Sequence, residues 1–576
     1  MTDAASPDHK TGSSPAIFQN WSASHSLLLL TFATLTCLLP FSNKAFHMDD
    51  PLFLWTAQHI AQHPLDPYGF RVVWYATETP IADVTKNPPL ASYYAAAVGR
   101  TFGWSERSLH VAFLLPALVV VLGTYRLASR FTRFPLLAAA ATLFTPGFLV
   151  SSTTVMCDVL MLALWLLALI CWLEGSDSGK HWLLAVSAAL IAACALTKYF
   201  GVALIPLLLV HSLFKKHRLD RLLAYLAIPI VLLAVYQWWT HGLYGRGLLS
   251  DAVQYANLHN RGHELPVAAK ALVGLAFAGG CFLPALFFAP LLWSRRGLFA
   301  ALTIAGGAGL AASSHAWWFQ APQAAADWPA ISAQMAILIA AGISAIALAA
   351  SGLRKVNADE TLLSLWLVGT FLFAAFLNWT INARSILPLI PVAAIVIARK
   401  LEPAASFSRP RTALIGAALL ACAGASLWVT AADAALANAG RRAAARLSEQ
   451  LRTSQSSVYF EGHWGFQYYM QQSGAKPADI RNSSFRSGDV VIIPENTTNS
   501  FGPPPGFLLT EEKIIQFELD RRAATMSQPL GAGFYASVWG PLPFSFGTVP
   551  PERYLVARLL PIAEHRDPGS LIFKPR

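Results

Sequence analysis

Charge is the scarcest property of this chain. Only 13% of its 576 residues are Asp, Glu, Lys or Arg, against roughly 25% in a soluble domain. That shortage excludes an ordinary soluble enzyme, and a 55% hydrophobic content points to a polytopic membrane protein. Cysteine is scarce too. The six cysteines (Cys37, Cys157, Cys171, Cys194, Cys281, Cys422) lie in or beside apolar runs, and no CxxC occurs. A disulfide framework and a zinc ribbon are therefore not expected. No basic segment followed by an A-x-A cleavage site precedes the first apolar run, so 27–41 reads as a retained helix rather than a removed signal. There is no internal repeat and no long low-complexity segment. The net charge of +11 is spread over short loops between apolar runs, which is a topology signal and not a nucleic-acid footprint.

A span needs about 20 mostly apolar residues. Candidates centre on 25–41, 109–127, 135–152, 158–173, 181–196, 200–214, 222–240, 267–293, 298–314, 330–352, 361–378, 386–399 and 412–431. Residues 88–103 are apolar but short and carry Arg100, so they read as a helix lying in the interface. With that segment not crossing, the basic loops alternate. Arg126/Arg130/Arg133, Lys180, Lys215/Lys216/Arg218/Arg221, Arg295/Arg296, Arg354/Lys355 and Arg399/Lys400/Arg409/Arg411 fall on one side. The other side is nearly free of them, apart from Lys198, Arg246, Arg261 and Arg384. The expectation is an all-α polytopic membrane bundle of about 13 transmembrane helices with a cytoplasmic N-terminus and an outer C-terminus. Its parts are a tail at 1–24, a transmembrane domain at 25–431 with its first outer loop at 42–107, and a small extracytoplasmic α/β domain at 440–576. In that last domain strands are expected at 457–460, 489–493, 533–539 and 569–574, with a helix at 466–472.

This topology puts a set of titratable residues on one face: Asp49, Asp50, Lys86, Arg107, His110, Asp158, Lys198 and Arg384. Ionisable groups at membrane depth are expensive and are usually functional. Asp49-Asp50-Pro51 comes first, since adjacent carboxylates are costly at a membrane surface. One of them suits a general base taking a proton from an acceptor hydroxyl, while Asp50 followed by Pro51 suits the start of a helix. Lys86, before Asn87-Pro88-Pro89-Leu90, reads either as a point charge for a phosphate or as a snorkelling anchor. Asp158 opens a span and reads either as part of a site or as compensation of the helix dipole. Lys198 and Arg384 break the scarcity of basic residues on their face, which an anionic phosphate would explain. Trp238-Trp239 and Trp317-Trp318 read as interfacial aromatics. His259 and His263 with Glu264 lack an HExxH order, and Asn496-Thr497-Thr498 matches a weak glycosylation sequon.

In order along the chain, several motifs resemble the GT-C superfamily of polytopic glycosyltransferases, in the branch of protein O-mannosyltransferases and the lipid A aminoarabinose transferase. They are Asp49-Asp50, Asn87-Pro88-Pro89-Leu90, Phe102-Gly103-Trp104-Ser105-Glu106, Asp158, Leu196-Thr197-Lys198 and the Asn-Ala-Arg-x-x-Leu-Pro-x-x-Pro run at 382–391. The resemblance covers residues 25 to about 400. It implies a GT-C-like bundle and an inverting glycosyl transfer from a polyprenyl-phosphate sugar. It implies Asp49 as catalytic base, with Asp50 beside it and Asp158 shaping the acceptor site. Lys86, Arg107, His110, Lys198 and Arg384 would serve the donor phosphate. Two positions depart from the family: Asn87 stands where Lys or His usually precedes Pro-Pro, and His110 stands where Arg is usual, with Arg107 one turn before it.

The expected function is therefore a glycosyltransferase of the cell envelope, in the bacterial inner membrane with its site facing outward. Its expected partners are a polyprenyl-phosphate sugar, a lipid, glycan or protein acceptor, and membrane lipids, with no nucleic acid. No cofactor is expected, a divalent metal being left open. A secondary transporter or lipid-linked sugar flippase is the alternative. Such proteins place charges near the midplane and often repeat their halves, and neither trait is visible here.

Overall fold

The computed structural model describes residues 22–216, 221–262, 265–313, 326–353, 357–402, 409–451, 456–497, 500–520 and 522–562. Arg218, His263, Glu264, Trp317, Trp318, Arg354, Lys355, Thr498, the expected strand at 569–574 and nearly all of the 1–24 tail lie outside them.

Helices dominate, and a five-stranded sheet follows them. Among the described residues seven helices are long and apolar enough to cross a membrane: Ala23–Phe41, Glu106–Phe131, Cys157–Ser178, Leu222–Tyr244, Trp328–Gly352, Ala358–Leu377 and Pro410–Leu451. Three shorter apolar helices join them, His181–Thr197, Tyr199–Lys215 and Val267–Cys281. This is an integral, multi-pass membrane protein, but the count of thirteen is not confirmed. Two expected spans are broken. Residues 135–152 form Pro135–Leu143 and Pro146–Ser151, because Pro146 forces Thr145 into an extended conformation (φ −124°, ψ 143°). Residues 267–293 stop at Cys281 and continue as two single turns, each opening with a proline near its start. The last span overshoots: Arg409–Leu451 runs for 43 residues, about 65 Å at 1.5 Å per residue. That is twice the hydrocarbon thickness, about 30 Å, and the excess joins the bundle to the sheet. Residues 88–103 form the 13-residue helix Leu90–Phe102, too short to cross, which packs against Asp50–Gln62.

The basic loops gather at one end of the bundle. Arg126 pairs with Glu174 at 2.5 Å, Arg130 and Lys215 both reach Asp177, and Arg399 pairs with Glu360 at 2.7 Å. Such half-exposed pairs contribute little to stability. Their value is as markers, since they put the loops at 126–133, 174–180, 215 and 399 together. The acidic and basic residues of the site lie at the other ends of the same helices.

The C-terminal sheet runs in the order Lys476–Pro477, Val458–Phe460, Val490–Pro494, Glu552–Pro561, Phe507–Phe517. The first three strands are parallel, and Glu552–Pro561 is antiparallel to both of its neighbours. Val490–Pro494 is buried throughout, and its period of two divides it between two cores. Ile492 packs with Ala439, Ala443 and Leu447 of the long helix, whereas Val491 and Ile493 pack on the opposite face with Ala557 and Leu559. The expected strand at 533–539 is instead a pair at Ala532–Gly533 and a turn of 3₁₀ helix at Ser537–Trp539.

Candidate active site

The loop before Asp49 is held residue by residue. Its backbone N–H groups have left the first helix and need partners. Asn438 Oδ1 accepts from Ala45 at 3.0 Å, Tyr469 Oη from Phe46 at 2.8 Å, and Asp50 Oδ2 from His47 at 2.8 Å. Lys44 Nζ is fully buried, donating to Asp433 at 2.5 Å and to Thr153 Oγ1 at 3.1 Å. Met48 is forced to φ 48°, a conformation costing of order 1–3 kcal/mol for a non-glycine residue. The bonds on either side hold it there.

The two aspartates then separate in role. Asp50 is fully buried. Its second oxygen accepts the Val155 N–H at 3.0 Å, so one carboxylate ties the first loop to the turn before Cys157–Ser178. Burial pushes this carboxyl up to about 7, against the pull of its two N–H donors and of Lys44. The helix begins one residue earlier than expected. Asp49 occupies the N-cap position but makes no capping bond, and Pro51 sits inside the first turn. Freed from capping, the Asp49 carboxylate is about a third exposed and lies 2.9 Å from Arg384 Nη2.

Arg384 comes from the single turn Ala383–Ile386, capped by Asn382 Oδ1 on the Ser385 N–H at 2.8 Å. Its guanidinium is poorly satisfied. Nη1 faces Met156 Sδ at 2.8 Å, a weak acceptor, and Nε has no hydrogen-bond partner among the described residues. Asp158, near enough for its charge to act on Arg384, is 2% exposed and binds Lys198 Nζ at 2.6 Å. Its second oxygen has no partner among the described residues. It makes no capping bond to its helix either. Lys198 sits at the sharp turn between His181–Thr197 and Tyr199–Ala203 in extended conformation. Gly201 makes that turn feasible, since a Cβ there would lie 2.5 Å from the Ala195 nitrogen.

Asp49, Arg384, Asp158 and Lys198 thus form one cluster, closed by Met156. Lys86 stands in a second cluster, binding Asp251 at 2.7 Å and the Ala82 carbonyl at 3.1 Å, with Arg246 and Asp83 paired beside it. Tyr255 joins the two: Lys86 lies 5.4 Å from its ring centroid, and it bonds Tyr75 where both phenols feel the Asp49 charge. Asn87, not Lys86, abuts the Asp158 turn, its Oδ1 facing Cys157 Sγ at 3.7 Å. Arg107 is exposed and stays outside both clusters. His110 is buried, its ring nitrogens on the Glu106 and Thr153 carbonyls and its ring on Phe46. It braces the loop and does not meet Asp49. Among the described residues no group of three or more His, Cys, Asp or Glu gathers as a metal site.

Sequence reasoning missed Asp251, Met156, Tyr75, Tyr255 and Tyr535, the last lying 5.6 Å from Arg384. Asp251 carried one usable signal: Arg246, a basic exception on the same face, needed a counter-ion.

Residues 86–241 match the family model described as dolichyl-phosphate-mannose-protein mannosyltransferase. No curated protein matches the chain by sequence. Among solved structures, the Archaeoglobus fulgidus oligosaccharyltransferase tethered to an acceptor peptide is 12% identical, with a TM-score of 0.47 over 80% of this chain and 64% of that one. The present chain therefore spans less than two thirds of that protein's length. ArnT from Cupriavidus metallidurans bound to undecaprenyl phosphate is 15% identical, with a TM-score of 0.41 over 82% and 94%. AglB from Archaeoglobus fulgidus, with an inhibitory peptide and a dolichol-phosphate, is 13% identical, with a TM-score of 0.45 over 80% and 65%. The matched segment carries Lys86, Asn87, Asp158 and Lys198, and over that segment the chain is similar to the dolichyl-phosphate-mannose-protein mannosyltransferase family.

Proposed function

We propose that this protein is an inverting glycosyltransferase that moves a sugar from a polyprenyl phosphate to an acceptor at the outer face of the membrane. The observation that carries the reading is the pairing of a partly exposed carboxylate, Asp49, with the guanidinium of Arg384, which is largely shielded and whose buried Nε has no hydrogen-bond partner among the described residues. A buried polar atom without a partner calls for an explanation, and a phosphate oxygen supplies one. The family match over 86–241 supports the same chemistry.

In the proposed reaction the acceptor hydroxyl gives its proton to Asp49 as its oxygen bonds to the anomeric carbon. The bond from that carbon to the phosphate oxygen breaks, and the electron pair leaves with the polyprenyl phosphate. The product carries one more negative charge than the donor diester, and Arg384 and Lys198 are placed to hold it. Without donor, Asp49 and Asp158 are the counter-ions of those two cations. Phosphate entry would therefore compete for the guanidinium and release Asp49 toward the acceptor.

Arg384→Gln tests this. A charge-assisted hydrogen bond is worth roughly 1.5–3 kcal/mol, so the variant should raise the KM for a polyprenyl-phosphate sugar by about 10–150-fold. Lys86→Gln should do less, because Lys86 is already engaged by Asp251 and the Ala82 carbonyl. Unchanged donor dependence in Arg384→Gln would remove the phosphate site.

The outward orientation rests on the basic loops gathered at the opposite end. Reporter fusions after Arg130 should report cytoplasm, and fusions after Ser152 and Gly462 the outer compartment. An outer location for the loop at 126–133 would invert the site.

A further inference from the structure

Between the strands Phe507–Phe517 and Glu552–Pro561 the chain leaves the sheet and returns to the bundle. Residues 523–547 lie against helices far away in sequence. Gln334 bonds the backbone of Phe546 from both ends of its amide, 2.7 Å to the N–H and 3.0 Å to the carbonyl. A Cβ on Gly280 would meet Pro543 at 2.4 Å, and one on Gly531 would meet Ile331 at 3.0 Å. Phe534, Tyr535, Trp539, Leu542 and Phe544 belong to the same apolar core as the transmembrane helices.

This segment grips the turn that carries Arg384. The Ala383 N–H donates to the Phe534 carbonyl at 2.9 Å, and the Ser537 N–H donates to the Ile381 carbonyl at 2.8 Å. Tyr535, between these clamps, is 4% exposed. Its ring centroid lies 5.6 Å from the Arg384 guanidinium carbon, and it meets His47 edge-on at 5.7 Å. Its hydroxyl donates to Asp433 Oδ2 at 3.0 Å, on the carboxylate that also holds Lys44 and Thr525 Oγ1. One side chain thus stands between the ion pair that fixes the first loop and the ion pair at the reacting end.

Resting on the function proposed above, we infer that Tyr535 is a positioning residue: its ring aims the Arg384 guanidinium at the donor phosphate, and its hydroxyl anchors that ring to the Lys44–Asp433 pair. The extracytoplasmic region is then part of the donor site and not an appended module. The ring face suits a guanidinium that has exchanged water for an aromatic neighbour. With Nε unpartnered among the described residues and Nη1 on a sulfur, the guanidinium is held on one edge by Asp49 at 2.9 Å and on its face by this ring.

The test uses the full chain in lipid nanodiscs, with undecaprenyl phosphate as binding probe and turnover of a polyprenyl-phosphate sugar measured alongside. Tyr535→Leu should weaken probe binding and raise the donor KM by about thirtyfold, the size of a desolvated cation–π contact. Tyr535→Phe, which keeps the ring and loses only its hydrogen bond to Asp433, should change them less, by about threefold. Tyr535→Leu should have no further effect on probe binding in an Arg384→Gln background. Should Tyr535→Leu fail to fold, Tyr535→Trp and Tyr535→Met make the same comparison of ring against no ring. Equal losses in the parent and Arg384→Gln backgrounds, or a lowered melting temperature with unchanged probe binding, would overturn the inference. If Arg384→Gln itself leaves probe binding unchanged, the proposed function falls first and this role falls with it.

Discussion

Asp49→Asn should lower sugar transfer by roughly 10²–10⁴ and leave the protein folded, because the amide keeps the shape of the carboxylate and loses only its capacity to take a proton. The structure sharpens this expectation. Asp49 stands at an N-cap position without making the capping bond, so the change breaks no helix cap. Its carboxylate accepts a hydrogen bond from Arg384, and an Asn oxygen can still accept it. The variant should therefore bind undecaprenyl phosphate at least as well as the parent, since Arg384 loses a competing counter-ion. Transfer in detergent or liposomes is measured beside that binding. Full activity in Asp49→Asn would eliminate the base assignment, and lost probe binding would make Asp49 a structural partner of Arg384.

The residues of this cluster were legible for a physical reason. In a chain with so few charges, an ionisable group at a span end stands out, and the parity of the basic loops decides which ends share a face. Asp49, Asp158, Lys198 and Arg384 all emerge that way. What parity cannot provide is pairing. Asp49 and Arg384 lie 335 positions apart, and nothing local says that Arg384 meets Asp49 while Lys198 takes Asp158. Lys86 shows the same limit: its partner Asp251 sits on Leu248–Gly262, an amphipathic helix with no motif. Arg107 and His110 were grouped with the site by their shared outer face and by the family resemblance, but one faces out and the other is spent on backbone carbonyls. Tyr535 was invisible, lying in a Pro- and Gly-rich stretch whose only pattern suggested a strand. Broken helices were hidden for a related reason. Hydropathy counts apolar residues, and both broken segments stay apolar through the proline that interrupts them.

Asp50→Asn should be the more destructive change to the fold, which reverses what the capping pattern alone suggests. At an N-cap, Asn and Asp serve about equally. Asp50, however, accepts from two backbone donors, His47 N–H on one oxygen and Val155 N–H on the other. An amide has one acceptor oxygen, so its NH₂ must face one of these N–H groups in a fully buried site. A buried donor left without a partner costs about 1–3 kcal/mol, and two opposed donors add repulsion. The loop would lose its tie to the turn before Cys157–Ser178, or His47 and the strained Met48 would lose their brace. Melting temperature should fall clearly in Asp50→Asn and stay near the parent value in Asp49→Asn, with activity per folded molecule following the loop's displacement. The pH dependence carries a sign. Burial raises Asp50 from 3.8 to about 7, so between those values the folded protein holds a proton that the unfolded chain has released. The stability Asp50 contributes is then greatest near pH 4 and declines as pH rises through about 7. His47, lowered to about 4 by burial, has the opposite slope below 6.5 in both proteins and cancels in the comparison. The deficit of Asp50→Asn against the parent should therefore be widest near pH 4 and narrow toward pH 7, as followed by thermal unfolding across that range. A variant that melts like the parent at every pH would show that the two N–H groups find other partners and that Asp50 does not hold the loop.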